Sequence, residues 1–132
     1  MNQKQKDLIL GNMKEDYIVD VIKTHFNLNT LTKLSTYNPF DFYNKENDIY
    51  FELKARRVKH NTYKTTMIGL NKYLEAQKLK TVYFIFSFED GDYYYKYNES
   101  DKFEIAIGGR NDRGKLEYKD YVYIPTNILI KI

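Results

Sequence analysis

In residues 41–54, Asp-Phe-Tyr-Asn-Lys-Glu-Asn-Asp-Ile-Tyr-Phe-Glu-Leu-Lys, carboxylates and an amine recur at spacings suited to metal-assisted chemistry. The second half alternates. Ile49, Phe51, Leu53 and Ala55 fall on one face of a strand, and Tyr50, Glu52 and Lys54 on the other, because strand side chains have period two. The first face belongs against a core; the second sets a carboxylate beside an ammonium. Upstream, Phe40 and Phe42 flank Asp41, Pro39 precedes them, and the polar residues 44–48 follow. That is a hairpin signal, and closing the hairpin would lay Asp41 beside Glu52. Hard divalent cations such as Mg2+ take carboxylate oxygens and keep several waters. An ion held by Asp41 and Glu52 would orient or acidify a water and neutralise charge on a phosphate. Lys54 would position the same water and stabilise developing negative charge. The plainer alternative is a surface Glu-x-Lys next to a turn aspartate.

Several elements must position these groups. A helix is expected over residues 4–26, with Leu8, Gly11, Glu15, Ile18, Ile22, His25 and Phe26 along one side. Glu15 thus stands inside an apolar stripe, where an unpaired carboxylate is costly and calls for a cation, a metal or a strong donor; at the stripe's edge it would instead reach water. Residues 30–37 read as a weak strand and residues 39–43 and 48–55 as the hairpin. The basic run Arg56, Arg57, Lys59 and Lys64 follows directly. It is either a solvated loop or a grip on a phosphate backbone, where Arg and Lys supply salt-dependent affinity. Thr65 or Thr66 is expected to cap a second helix over residues 67–80, whose apolar stripe ends at Gln77. Residues 81–88 form a near-continuous apolar run, the mark of a central strand covered on both faces. Asp90-Gly91 turns the chain back into residues 93–97. Residues 103–108 and 118–124 read as further strands joined by a glycine-flanked basic loop with Arg110, Arg113 and Lys115. A short turn is expected to end the chain.

The 132 residues are expected to form a single domain, 1–132, with a substantial core. With no cysteine there is neither a disulfide framework nor a thiolate metal site. No apolar run is long enough to span a bilayer, and Met-Asn-Gln-Lys-Gln-Lys-Asp adjoins no apolar stretch of the secretory kind. A cytoplasmic protein is the expectation, and no membrane partner. The net charge of +3 permits nucleic-acid binding without arguing strongly for it. The 14 tyrosines suit half-buried strand positions, and some could stack on bases.

A helix with Glu15, strands with Asp41 and Glu52-Leu53-Lys54, a second helix and a buried strand together resemble the core of the PD-(D/E)xK nuclease superfamily. The resemblance covers residues 4–88; the last third carries no family mark. The residue before Asp41 is Phe40 rather than proline, a departure from the literal motif. The resemblance implies an α+β fold with a mixed central sheet flanked by helices, a restriction-endonuclease-like αβββαβ core, here followed by extra C-terminal hairpins. It implies a Mg2+-dependent endonuclease acting on DNA, with Mn2+ able to substitute. Asp41 would match the first acidic residue of the motif, Glu52 the second, Lys54 its lysine and Glu15 the first-helix glutamate, with the Leu53 carbonyl offered to the metal. Small size and the first-helix glutamate look most like Holliday-junction resolvases or small phage or homing nucleases. A homodimer would suit cutting both strands, and a phage or viral origin would fit. The rivals are a nucleic-acid-binding module on the same fold that cuts nothing, and a protein-interaction domain.

Overall fold

The first helix, α1 (Gln3–His25), is set at both ends by local chemistry. The Asn2 side chain accepts the Gln5 backbone N–H at 2.8 Å, and the Gln5 side chain accepts the Asn2 N–H at 2.9 Å. Two donors that a helix start leaves open are thereby paired reciprocally. At the other end Asn27 takes a left-handed φ of 54°. The Leu28 N–H then reaches the Lys23 carbonyl at 2.8 Å and the Asn27 N–H reaches that of Thr24 at 3.4 Å. This closure turns Leu28 inward. The computed structural model describes residues 2–108 and 119–132, the side chains of residues 7–16 excepted. Glu15 lies on α1, but its side chain is outside the described ones, as are Arg110, Arg113 and Lys115.

After α1 come β1 (Thr32–Lys33), β2 (Phe42–Asn44), β3 (Ile49–Ala55), β4 (Thr65–Gly69), α2 (Leu70–Ala76), β5 (Thr81–Phe88), β6 (Gly91–Lys96), β7 (Glu104–Gly108), β8 (Lys119–Pro125) and β9 (Ile130–Lys131). Six strands form the main sheet in the order β1-β2-β3-β5-β6-β9. β3 and β5 pair in parallel and every other neighbour is antiparallel, so the sheet is mixed. A parallel pair needs a long crossover, and here it carries β4 and α2. β4, β8 and β7 form a second, antiparallel sheet. This is a restriction-endonuclease-like α+β fold. Among the described residues no helix is long and apolar enough to cross a membrane.

Both faces of the main sheet are covered. On one, Phe42, Phe51 and Ile85 pack with Ile18 and Ile22 of α1. On the other, Val82, Phe84 and Phe86 pack with Ile68 of β4, Tyr73 and Ala76 of α2, and Val122 and Ile124 of β8. Each large side chain buried this way contributes about 1.5–3 kcal/mol. The second helix starts later than its apolar stripe suggests. Residues 65–69, expected as its cap and first turn, are strand instead. Thr66 and Ile68 are buried opposite Ile124 and Val122, and this pairing with a distant segment outweighs local helical periodicity. The C-terminus likewise ends in β9 against β6, after a single turn over Thr126–Ile128.

One polar cluster ties α1 to the sheet. Ser87 Oγ donates to Asp92 Oδ1 at 2.5 Å, and the Tyr17 hydroxyl donates to Asp92 Oδ2. Ser87 and Asp92 are buried. The hydrogen bond to Asp92, with partial burial and the nearby charge, pushes the Tyr17 phenol up to about 12, so it remains a donor at neutral pH. Asp92→Ala strands both hydroxyls without their acceptor. The expected cost is about 2 kcal/mol, read as a lower urea midpoint; an unchanged midpoint would refute this clamp. Tyr17→Phe should cost less, since Tyr17 is half-exposed.

Candidate active site

β3 presents Glu52 and Lys54 on the face that α2 and the second sheet cover, because each pairs in register with a residue of that face, Phe84 and Phe86. Asp41 arrives from the turn before β2. Its N–H donates to the Phe51 carbonyl at 3.0 Å and its own carbonyl accepts the Leu34 N–H at 2.8 Å. Its Oδ2 accepts the Leu53 N–H at 2.7 Å. Asp41 is thus locked against β3 by main-chain and side-chain bonds together. In a strand the N–H and C=O of one residue point to the same side, so the Leu53 carbonyl lies along the edge that faces Asp41.

Glu52 is only 2% exposed, so it is no surface carboxylate. Its Oε2 sits 3.3 Å from Lys54 Nζ and 3.5 Å from Lys72 Nζ. Its Oε1 is buried with no hydrogen-bond partner. Burial pushes the Glu52 carboxyl up to about 7; Lys54 opposes that, the Asp41 carboxylate adds to it, and Lys72 opposes it.

A buried carboxylate oxygen with no hydrogen-bond partner, beside a second carboxylate, could hold a cation. The donors are hard oxygens, and two carboxylates with waters and a backbone carbonyl suit Mg2+ or Mn2+. Among the described residues no group of three or more His, Asp or Glu side chains gathers, so any ion would rest on Asp41 and Glu52 and whatever Glu15 adds.

Lys72 escaped the sequence reading. It stands in the first turn of α2, donates to the Pro39 carbonyl and flanks Glu52. It thereby links α2 to both acidic segments. The available signal was a cation in a helix's first turn, where the macrodipole disfavours it. That signal is visible only once the helix is known to begin at Leu70. Gln77 is exposed at the far end of α2. Of the basic run, Arg56 turns inward: its Nε donates to Thr66 Oγ1 at 3.2 Å and its Nη2 to the Met67 carbonyl at 2.5 Å. Arg57, Lys59 and Lys64 are exposed. His25 and His60 are ring partners of tyrosines, Tyr94 and Tyr93 respectively, and neither joins the acidic pair.

A mixed sheet with a helix on each face, in which an aspartate is hydrogen-bonded to a Glu-x-Lys strand, is the arrangement of a PD-(D/E)xK nuclease. The comparison with known families agrees and narrows it. The chain belongs to the family described as "Phage putative PDDEXK endonuclease", whose model matches residues 11–132. The family pattern therefore runs through the C-terminal third, which by sequence alone carried no mark. No curated protein and no solved structure matches the chain.

Proposed function

We propose that the protein is a divalent-metal-dependent endonuclease that hydrolyses phosphodiester bonds in DNA, with Mg2+ as the resident ion and Mn2+ as a substitute. The observation that carries the reading is the buried Glu52, its Oε1 unpartnered, between Asp41 and Lys54. Asp41, Glu52 and the Leu53 carbonyl would hold the ion, with Glu15 assisting from α1. When bound, the ion supplies Lewis acidity toward a phosphate oxygen and a more acidic water. Lys54 orients the attacking water and donates to the oxygen on which charge develops. Lys72 favours the ionised form of Glu52 and helps hold it in place. Arg57, Lys59 and Lys64, with Arg110, Arg113 and Lys115 and what Arg56 has left to give, hold phosphates. Selectivity for branched DNA and a two-fold dimer, with one site for each strand, complete the reading.

The direct test is cleavage of supercoiled, single-stranded and four-way-junction DNA with Mg2+, with Mn2+ and with EDTA. Cleavage that stops in EDTA supports the proposal. Binding without cleavage under every condition favours a non-cutting module instead. Lys72→Met removes one of the two cations that hold Glu52 ionised. The acid limb of its pH–rate profile is expected at higher pH than in wild type, with the alkaline plateau retained by Lys54. An unmoved limb would mean that Lys72 only braces α2.

A further inference from the structure

Glu52, Lys54 and Arg56 alternate along one face of β3 and its continuation, each roughly 6.8 Å from the next. The Arg56 N–H still donates to the Ser87 carbonyl at 2.8 Å, and its guanidinium stands 5.9 Å from the ring centre of Phe86, the register partner of Lys54. Immediately beyond, the surface opens into a groove of about 530 Å3, in which Arg56, Arg57, Lys59, Tyr63, Phe88 and Tyr123 take part. No carboxylate is among the described residues that line it. Its lining thus combines Arg56, Arg57 and Lys59 with aromatic walls, and it begins one strand period from the motif lysine.

Two details make it a built site rather than a loop crevice. His60 is fixed as part of its lining, stacked on Tyr93 at 4.0 Å with Nε2 2.7 Å from the Thr126 carbonyl. The Tyr63 main chain is anchored because Thr126 Oγ1 donates to its carbonyl at 2.9 Å, yet its side chain is left 65% exposed. An anchored backbone carrying an exposed ring is a stacking platform. The volume matches a single small ligand. A base inside a duplex has its faces covered by its neighbours and cannot lie on Tyr63; an unpaired base can.

We infer that this groove takes an unpaired nucleotide adjoining the scissile phosphate, its phosphate on Arg57 and Lys59 and its base on Tyr63. The inference rests on the nuclease reading and adds a substrate class to it: DNA with a single-stranded segment at the cut. The test uses the full chain carrying Lys54→Ala, so that DNA stays whole, and fluorescence anisotropy with two probes: a blunt duplex, and the same duplex bearing a short single-stranded flap. The flap probe is expected to bind about tenfold tighter, the usual effect of one stacked base. Tyr63→Ala should abolish that gain and leave duplex affinity unchanged, and Tyr63→Phe, which keeps the ring, should retain it. Equal affinity for the two probes, an equal loss on both in Tyr63→Ala, or loss of the preference in Tyr63→Phe would overturn the inference. Because the readout is binding, the two readings fail separately. A wild-type protein that cuts nothing but prefers the flap sinks only the nuclease reading; one that cuts well with no flap preference sinks only this one.

Discussion

Under the proposed function, Lys54→Ala and Glu52→Ala are each expected to lower metal-dependent DNA cleavage by roughly a thousandfold or more, with DNA affinity largely spared. The size follows from where these groups act. Lys54 Nζ lies 3.3 Å from Glu52 Oε2, and in the proposed mechanism it would orient the water and meet the oxygen on which charge develops. A donor aimed at charge that develops during the reaction contributes little to the ground-state complex. In the proposed site Glu52 would act through the ion, and an alanine there would remove one of its two described carboxylate ligands. Lys54→Arg should not restore the rate, since a planar fork does not replace a compact ammonium in a packed patch. Arg57→Ala and Lys59→Ala should show the opposite pattern, with weaker binding, a salt slope smaller by about one phosphate contact each, and near-normal turnover at saturation. Plasmid nicking under single-turnover conditions, run beside anisotropy titrations, separates the two patterns. Full activity in either Lys54→Ala or Glu52→Ala would remove the assignment.

The parts of this site that were legible in the sequence are those that local rules control. Alternation over Ile49–Ala55 assigns Phe51 and Leu53 to one face and Glu52 and Lys54 to the other, and the register with β5 bears this out. The apolar run over Thr81–Phe88 marks its strand directly, because a strand buried on both faces reads as a near-continuous apolar stretch. What was not legible depends on distant partners. Thr66 and Ile68 belong to a strand only because Ile124 and Val122 pair with them. The hairpins expected as additions to a finished core are in fact part of it, since β8 with β4 closes over the Glu52 face through Val122, Ile124 and Ile68. On the same face Glu52 is buried and Lys72 of α2 reaches it. Neither consequence can be read from residues 41–54.

Burial gives Glu52 a second measurable consequence, on the stability of the metal-free protein. Its carboxyl titrates near 4.5 when unfolded and is pushed up to about 7 in the fold. Below 4.5 both states are protonated and the group contributes nothing to the balance. Between the two values the folded state holds a proton that the unfolded state has lost, so stability falls as pH rises; above 7 the penalty is complete. This is the reverse of a salt-bridged surface acid. The shift corresponds to roughly 3 kcal/mol, a large part of a small domain's net stability. Urea unfolding in EDTA is therefore expected to show wild type less stable at pH 8 than at pH 5, while Glu52→Gln flattens that slope. Its amide oxygen can face the two lysines and its NH2 group the Asp41 carboxylate, so the uncharged side chain is satisfied where the charged one is not. Mg2+ at pH 8 should recover the lost stability in wild type and not in the variant, because an ion that binds only the folded state stabilises it by mass action. Identical pH slopes in the two proteins would mean that Glu52 is not strained by burial. Equal Mg2+ stabilisation of both would place the ion elsewhere. On this reading, the same uncompensated oxygen expected to weaken the metal-free protein at neutral pH is the one the ion would bind, so stability lost in EDTA is what the ion would restore.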